Sequence, residues 1–321
     1  MARPYKVTLQ QTYQYTPSQT ITIQIPRNAF VKKIEVLLSG TIINSNTTAV
    51  TLPGQPFPYN LVSELRLVYN GNKIIYDASG SGLGILEYYE TQGQNPSTPA
   101  PGSSVGASSS VNLYVKYTLR FPDRNEFPAR YASSFDLIIF TPANFLPSGV
   151  SVNASFIISV EYIDLSAEEV VARFPLGLNK DGLPRGLIVP SIVEYKVPNV
   201  SASQTPIHVQ FIQPGYIYIG QLIYVLNPNT GIVNNDPTAY KLKILKGMPT
   251  DVIDMLWQSL LAENQAEYKV PPYTNATVIV DYTKYFQGGM SVEQSDSVEY
   301  DIALNNSDQV NSLFVGYYII E

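Results

Sequence analysis

Apolar residues recur at every second position over long stretches of this chain, a period that belongs to a β-strand with one buried face and not to a helix. The alternation is clean in Ile21, Ile23 and Ile25, in Leu113, Val115, Tyr117, Leu119 and Phe121, and in Val150, Val152, Ala154, Phe156, Ile158, Val160 and Tyr162. It returns later in Ile207, Val209 and Phe211, in Val278, Val280 and Tyr282, in Val298, Tyr300, Ile302 and Leu304, and in Leu313, Val315, Tyr317 and Ile319. Each run offers one face to a core and the other to water or a neighbour. Asn70-Gly71, between Leu65–Val68 and Ile74–Tyr76, supplies the positive φ values of a tight hairpin. The pattern predicts an all-β chain with roughly seven or eight strands in each half.

Few segments break the alternation. Thr250 is placed to cap a helix with Asp251 and Asp254 in its first turn and an apolar stripe of Val252, Ile253, Leu256, Trp257, Leu260 and Leu261. A second helix is predicted from about Leu83 to Gln92. Ser166-Ala167-Glu168-Glu169 has the spacing of a capping box and predicts a short turn ending near Arg173. The Pro- and Gly-rich stretch from Phe174 to Pro190 reads as a connector. The expected organisation is an N-terminal domain over 1–165, a connector over 166–190 and a C-terminal domain over 191–321.

The two halves look like copies. Ser18-Gln19-Thr20-Ile21-Thr22-Ile23-Gln24-Ile25 is matched by Ser203-Gln204-Thr205-Pro206-Ile207-His208-Val209-Gln210-Phe211, with one residue inserted at Pro206. Phe30-Val31 then corresponds to Tyr216-Ile217, and Val36-Leu37-Leu38 to Leu222-Ile223-Tyr224. Each half continues as strand, strand, helix and further strands. Length differences fall in loops at about 44–60 and 94–110, the second small, polar and expected to be exposed and mobile.

Charge and composition exclude several functions. Lys plus Arg is 20 against 26 Asp plus Glu, a net −6 that suits a phosphate backbone poorly, so no direct sequence-specific nucleic-acid binding is expected. Glu293, Asp296, Glu299, Asp301, Asp308 and Glu321 crowd the C-terminal region and predict an acidic face. The absence of Cys removes disulfides, thiolate metal sites and thiol nucleophiles. Met-Ala-Arg-Pro-Tyr-Lys runs straight into a polar alternating segment, so neither an export signal nor a membrane span is expected. Twenty-four Tyr against one Trp and one His suit half-buried sheets and interfaces, with Tyr114, Tyr216 and Tyr218 expected on polar faces.

Motifs that could carry chemistry are weak. His208 is the only histidine, so any His base or zinc site must run through it, and its strand position reads as solvated. Gly102-Ser103-Ser104-Val105-Gly106 matches G-x-S-x-G but lacks the strand-to-helix setting of a nucleophile elbow. Gly80-Ser81-Gly82-Leu83-Gly84 opens a helix after a strand, where phosphate could bind, but without the spacing or Lys of a P-loop. The loop from Asn227 through Asn234-Asn235-Asp236 has oxygen ligands but one carboxylate, and reads as turns. Glu87 with Glu90, and Glu168 with Glu169, are not spaced across a cleft as glycosidase carboxylates are. The sequons at Asn46, Asn153, Asn199, Asn275 and Asn305 are explained by chance. No residue is therefore expected to serve as a catalytic, cofactor-binding or metal-binding group.

Two consecutive β-domains of this size, each broken once by a helix, resemble the double jelly-roll major capsid proteins of the tectivirus and adenovirus lineage, which includes lipid-containing phages and turreted archaeal viruses. The repeated Ile21–Leu38 and Ile207–Tyr224 strand pairs, the Leu65–Tyr76 hairpin and the helices near Leu83 and Val252 carry the resemblance. It implies two tandem eight-stranded antiparallel jelly rolls and a structural coat protein, not an enzyme. It further implies homotrimers with a pseudo-hexameric outline that tile an icosahedral shell, with minor capsid or penton proteins as partners. The chain would be made in the host cytoplasm and reside in the virion. Lacking a basic or amphipathic N-terminal helix and an apolar C-terminal anchor, it is expected to touch an internal viral membrane only slightly. The rival readings are a virion spike or fibre, and a secreted carbohydrate-binding or glycan-hydrolysing β-sandwich.

Overall fold

The computed structural model describes residues 3–94, 97–121, 125–180, 182–200, 205–210, 215–226, 237–246, 248–292, 297–306 and 308–320. Contacts divide the chain into one unit of Met1–Glu87, Asn95–Pro190 and Ile319–Glu321 and another of Tyr88–Gln94 and Ser191–Tyr318.

In the first unit the alternating segments become β1 (Arg3–Thr8), β2 (Thr20–Gln24), β3 (Phe30–Asn44), β4 (Glu64–Tyr69), β5 (Lys73–Ala78), β6 (Ser109–Arg120), β7 (Phe135–Phe140) and β8 (Val150–Asp164). They pair antiparallel in the orders β1-β8-β3-β6 and β2-β7-β4-β5. First with eighth, second with seventh, third with sixth and fourth with fifth is the Greek-key wrapping of a jelly roll. Ile34, Val36 and Leu38 on β3, Val115, Tyr117 and Leu119 on β6, and Phe156, Ile158 and Val160 on β8 are buried from one sheet. Ile21 and Ile23 on β2, Leu65 and Leu67 on β4, and Leu137 and Ile139 on β7 are buried from the other. Each such aliphatic side chain contributes about 1.5–3 kcal/mol by leaving water. The β4–β5 hairpin turns through Asn70 (φ 49°) and Gly71 (φ 79°), as its sequence requires. Its tip is stapled by Asn70 Oδ1, which accepts from the Ser133 backbone N–H at 2.7 Å.

The second unit repeats the plan. β9 (Ile188–Val200), β10 (Thr205–Gln210), β11 (Tyr216–Leu226), β12 (Pro237–Lys246), β13 (Met248–Leu256), β14 (Thr277–Asp281), β15 (Ser297–Leu304) and β16 (Asp308–Ile319) form the orders β9-β16-β11-β14 and β10-β15-β12-β13. Adding eight to each strand number of the first unit reproduces this topology. The helices fit the same scheme, since α1 (Gly80–Glu90) follows β5 and the last helix, Trp257–Tyr268, follows β13. Between the repeats, α2 (Ala167–Arg173) carries the predicted capping box: Ser166 Oγ accepts from the Glu169 N–H at 3.2 Å, and Glu169 Oε2 accepts from the Ser166 N–H at 2.9 Å. The last helix is α3.

Four expectations are corrected. The helix expected from Thr250 begins at Trp257, because Met248–Leu256 is a strand paired along β12 from Ala239↔Leu256 to Lys246↔Met248. Tertiary pairing outweighs the local stripe, and β-branched Val252 and Ile253 suit a strand. The loop at 94–110 is largely exposed, as expected, but it is tied down by a Thr98–Tyr114 bridge and by Ser104–Val105 pairing with Val50–Thr51, with Val105 wholly buried. Asn44 fastens the same region, donating from Nδ2 to the carbonyls of Thr48 (2.9 Å) and Gly106 (2.9 Å). Tyr216 and Tyr218 lie in the core with Phe314, while Tyr114 is half-buried. Of the predicted acidic face, Asp301 and Asp308 are buried and so do not contribute to it; Glu293, Asp296 and Glu321, and the side chain of Glu299, lie outside what is described.

Candidate assembly surfaces

Among the described residues, those singled out for chemistry do not converge. His208 sits on β10 opposite Glu299 in the backbone register. Ser104, the central residue of the G-x-S-x-G match, is exposed on a two-residue strand, and the chain continues into β6 without the helix a nucleophile elbow needs. The glycines of α1 serve packing. A Cβ on Gly84 would lie 2.3 Å from the Tyr59 ring, and one on Gly80 would lie 2.5 Å from the Tyr59 carbonyl oxygen. Ser79 Oγ already caps the helix, accepting from the Gly82 N–H at 2.9 Å. Glu87 is buried among the side chains of β6: Thr118 donates to it at 3.1 Å, and Arg120 and Lys116 lie 3.3 and 3.8 Å from its Oε1. Glu90 is exposed at the helix end, and Glu168 and Glu169 belong to the cap of α2. The Asn227–Asp236 loop lies outside the described residues. Among the described residues no three His, Cys, Asp or Glu side chains are grouped to hold a metal, and no helix is long and apolar enough to cross a membrane.

What the first unit does present is broad charged sheet surface. Across β1, β3 and β8 runs a ladder in which Lys6 pairs with Glu35, Lys33 bridges Glu35 (3.1 Å) and Glu161 (3.2 Å), and Lys32 lies 3.9 Å from Glu161. Burial alone would raise the Glu35 pKa; hydrogen bonds from Lys6 and Lys33 outweigh it and hold the carboxyl below its ordinary value.

A second cluster behaves oppositely. Arg66 Nη2 lies 2.6 Å from Glu64 Oε1 and 3.4 Å from Asp77 Oδ2, with its guanidinium 5.6 Å from the centre of the Phe140 ring. Burial first, and then the charge of Glu64, push Asp77 up to about 6 despite Arg66. Between pH 3.8 and about 6 the folded chain keeps a proton that the unfolded chain has released, so this group's contribution falls as pH rises through that window. Asp77→Asn is expected to remove the fall and to stabilise the unit at neutral pH by about 1–2 kcal/mol, less than full linkage because solvent screens a partly exposed group. Urea midpoints of both proteins from pH 4 to 7 measure it, and parallel curves would contradict the assignment.

Exposed apolar side chains cluster along the segment after β8, where Val171 and Leu176 are each 68% exposed and Leu178 is 48% exposed. Elsewhere in the unit a recess of about 430 Å³ is lined by Gln24, Ile25, Pro26, Arg27, Asn28 and Arg130. Its walls are held by backbone contacts: Ile25 N–H to Phe135 O at 2.8 Å and Tyr162 hydroxyl to Pro26 O at 2.8 Å. Sequence reasoning passed over Arg27; the only signal was a cation in a Pro-Arg-Asn corner with no acid near it in the chain.

The family described as "Sulfolobus turreted icosahedral virus 1-like, major capsid protein" matches residues 196–320. The crystal structure of the STIV major capsid protein is 49% identical, with a TM-score of 0.90 over 99% of this chain and 97% of that one. The corresponding chain in the atomic structure of Sulfolobus Turreted Icosahedral Virus is 50% identical, with a TM-score of 0.90 over 98% of this chain and 91% of that one. The major capsid protein P2 of bacteriophage PM2 shares the fold at 10% identity, with a TM-score of 0.60 over 99% of this chain and 98% of that one. No curated protein sequence matches. Between coat, spike and sugar-directed sandwich, near-half identity along the whole length decides for the coat, and the chain belongs to the Sulfolobus turreted icosahedral virus 1-like major capsid proteins.

Proposed function

We propose that three copies of this chain associate into a homotrimer of pseudo-hexameric outline, and that these trimers tile the icosahedral shell. The observation that carries the reading is the duplicated strand order, β1-β8-β3-β6 with β2-β7-β4-β5 repeated eight strands later. Three chains that each supply two similar jelly rolls present six similar blocks around a threefold axis, which fits closed cyclic symmetry. The rolls are taken to span 1–165 and 191–321, with 166–190 as the link. Permanent contacts of this kind commonly bury about 2,000 Å² or more, and broad sheet faces supply such area without a reactive group. The role is purely structural, with no catalysis, no cofactor and no metal. Minor capsid or penton proteins close the shell where trimers alone do not, contact with an internal membrane is slight, and synthesis takes place in the host cytoplasm. Light scattering on the purified protein is expected to give the mass of three chains. A monomer under shell-forming conditions would overturn the trimer.

A further inference from the structure

We propose that the recess beside Arg27 and Arg130 is a carboxylate socket that receives an Asp or Glu side chain from a second copy of this chain. The inference rests on the self-assembly stated above. Arg27 Nη1 donates to the carbonyls of Ala132 and Ser133, which fixes the guanidinium plane against the corner between β2 and β3. Its remaining edge, Nε with Nη2, meets no partner among the described residues, and no carboxylate there pairs with Arg27.

That edge is the one that grips a carboxylate through two parallel hydrogen bonds. Arg130 is anchored differently, with its guanidinium over Phe30, Nη2 donating to Asn28 O (3.2 Å) and Asp164 Oδ1 (3.1 Å), and Nη1 to Leu165 O (3.4 Å). Asp164 is 63% exposed, so the one acid at the rim leaves the recess with a net positive charge.

Charge complementarity selects the occupant. The chain holds 26 acidic and 20 basic residues, so a carboxylate is the commoner charged group that a second copy has to offer to a cationic recess. A guanidinium already held in place loses little freedom on pairing, and Arg is enriched in the buried centres of protein interfaces.

The test compares the wild-type protein with Arg27→Ala and Arg27→Lys. Circular dichroism and calorimetry verify that each variant folds, with emission of Trp257, which belongs to the other unit, as the control that the second unit is unchanged. Self-association is followed by sedimentation from 50 to 500 mM NaCl. Arg27→Ala is expected to weaken association about tenfold and to flatten its salt dependence, with Arg27→Lys intermediate. Zero-length carbodiimide coupling of the Arg27→Lys protein is expected to join position 27 to an Asp or Glu of another copy. Wild-type protein that never associates would sink the assembly reading itself. Association that Arg27→Ala leaves intact, or coupling at position 27 only within one copy, would sink the socket alone. Saturation of the recess by sub-millimolar inorganic phosphate without loss of association would reassign it to a free oxyanion.

Discussion

Replacing Gln221 by Leu is expected to lower the stability of the second unit by about 3–5 kcal/mol, although the substitution puts an apolar side chain into a core. Gln221 is wholly buried on β11, and its Oε1 accepts from two phenols, Tyr240 at 2.8 Å and Tyr282 at 2.7 Å. Its Nε2 donates to Ser312 Oγ at 3.1 Å, and that hydroxyl donates in turn to Tyr300 at 2.7 Å. Burial drives the pKa values of Tyr240, Tyr282 and Tyr300 well above the ordinary phenol value, so all three remain neutral phenols, Tyr240 and Tyr282 donating to Gln221 and Tyr300 accepting from Ser312. Leu at 221 leaves two donors in a dry interior with no acceptor, at about 1–3 kcal/mol each, and removes the donor to Ser312.

Urea unfolding followed by Trp257 emission reads this unit directly, because Trp257 is the only Trp and lies in the same core. Adding Tyr240→Phe and Tyr282→Phe to Gln221→Leu is expected to return at least half of the loss, since removing both partners of a buried hydrogen bond costs less than removing one. A single variant with a wild-type midpoint, or a triple variant less stable than the single, would show that the network does not carry this energy.

The same residues mark where sequence reading stops. β2 and β8 alternate apolar with polar, so the strands, their faces and the duplication were legible from the chain alone. β11 reads Tyr-Ile-Tyr-Ile-Gly-Gln-Leu-Ile-Tyr-Val-Leu, with almost no polar face to give the register. A bulge against β16 between Tyr218 and Gly220 switches parity, so Tyr216 and Tyr218 point inward before it and Ile223 and Val225 after it. Tyr216 and Tyr218, expected on polar faces, therefore build the interior, in one cluster with Tyr240 and Tyr282, whose hydroxyls donate to Gln221. Family-level function could be reached through architecture, because tandem copies carry it. The recess at Arg27 could not, since it is assembled from the corner after β2 and the short turn before β7, about a hundred residues apart.

Truncating Trp257 to Ala is expected to cost the second unit about 3–5 kcal/mol, the value typical of removing a large aromatic side chain from a packed core. The reason differs from the one the sequence suggested. Trp257 is not the middle of a helical stripe but the hinge between β13 and α3, and its indole is wholly buried in a cluster with Tyr240, Ile253, Leu260 and Val278. Its Nε1 donates to Asn275 O at 2.7 Å, which ties the start of α3 to the entry of β14. Trp257→Phe keeps most of the buried area and loses the donor, so it is expected to cost only about 1–2 kcal/mol. Calorimetry is the suitable probe, since both variants lose the indole emission. The expected order of melting is wild type above Trp257→Phe above Trp257→Ala, with the loss confined to the transition of the second unit. In the proposed assembly both rolls contribute contact area, so Trp257→Ala chains should assemble at low temperature and fail on heating well before the wild type. Equal melting of all three would mean that the indole is not the plug between sheet and helix that the geometry makes it.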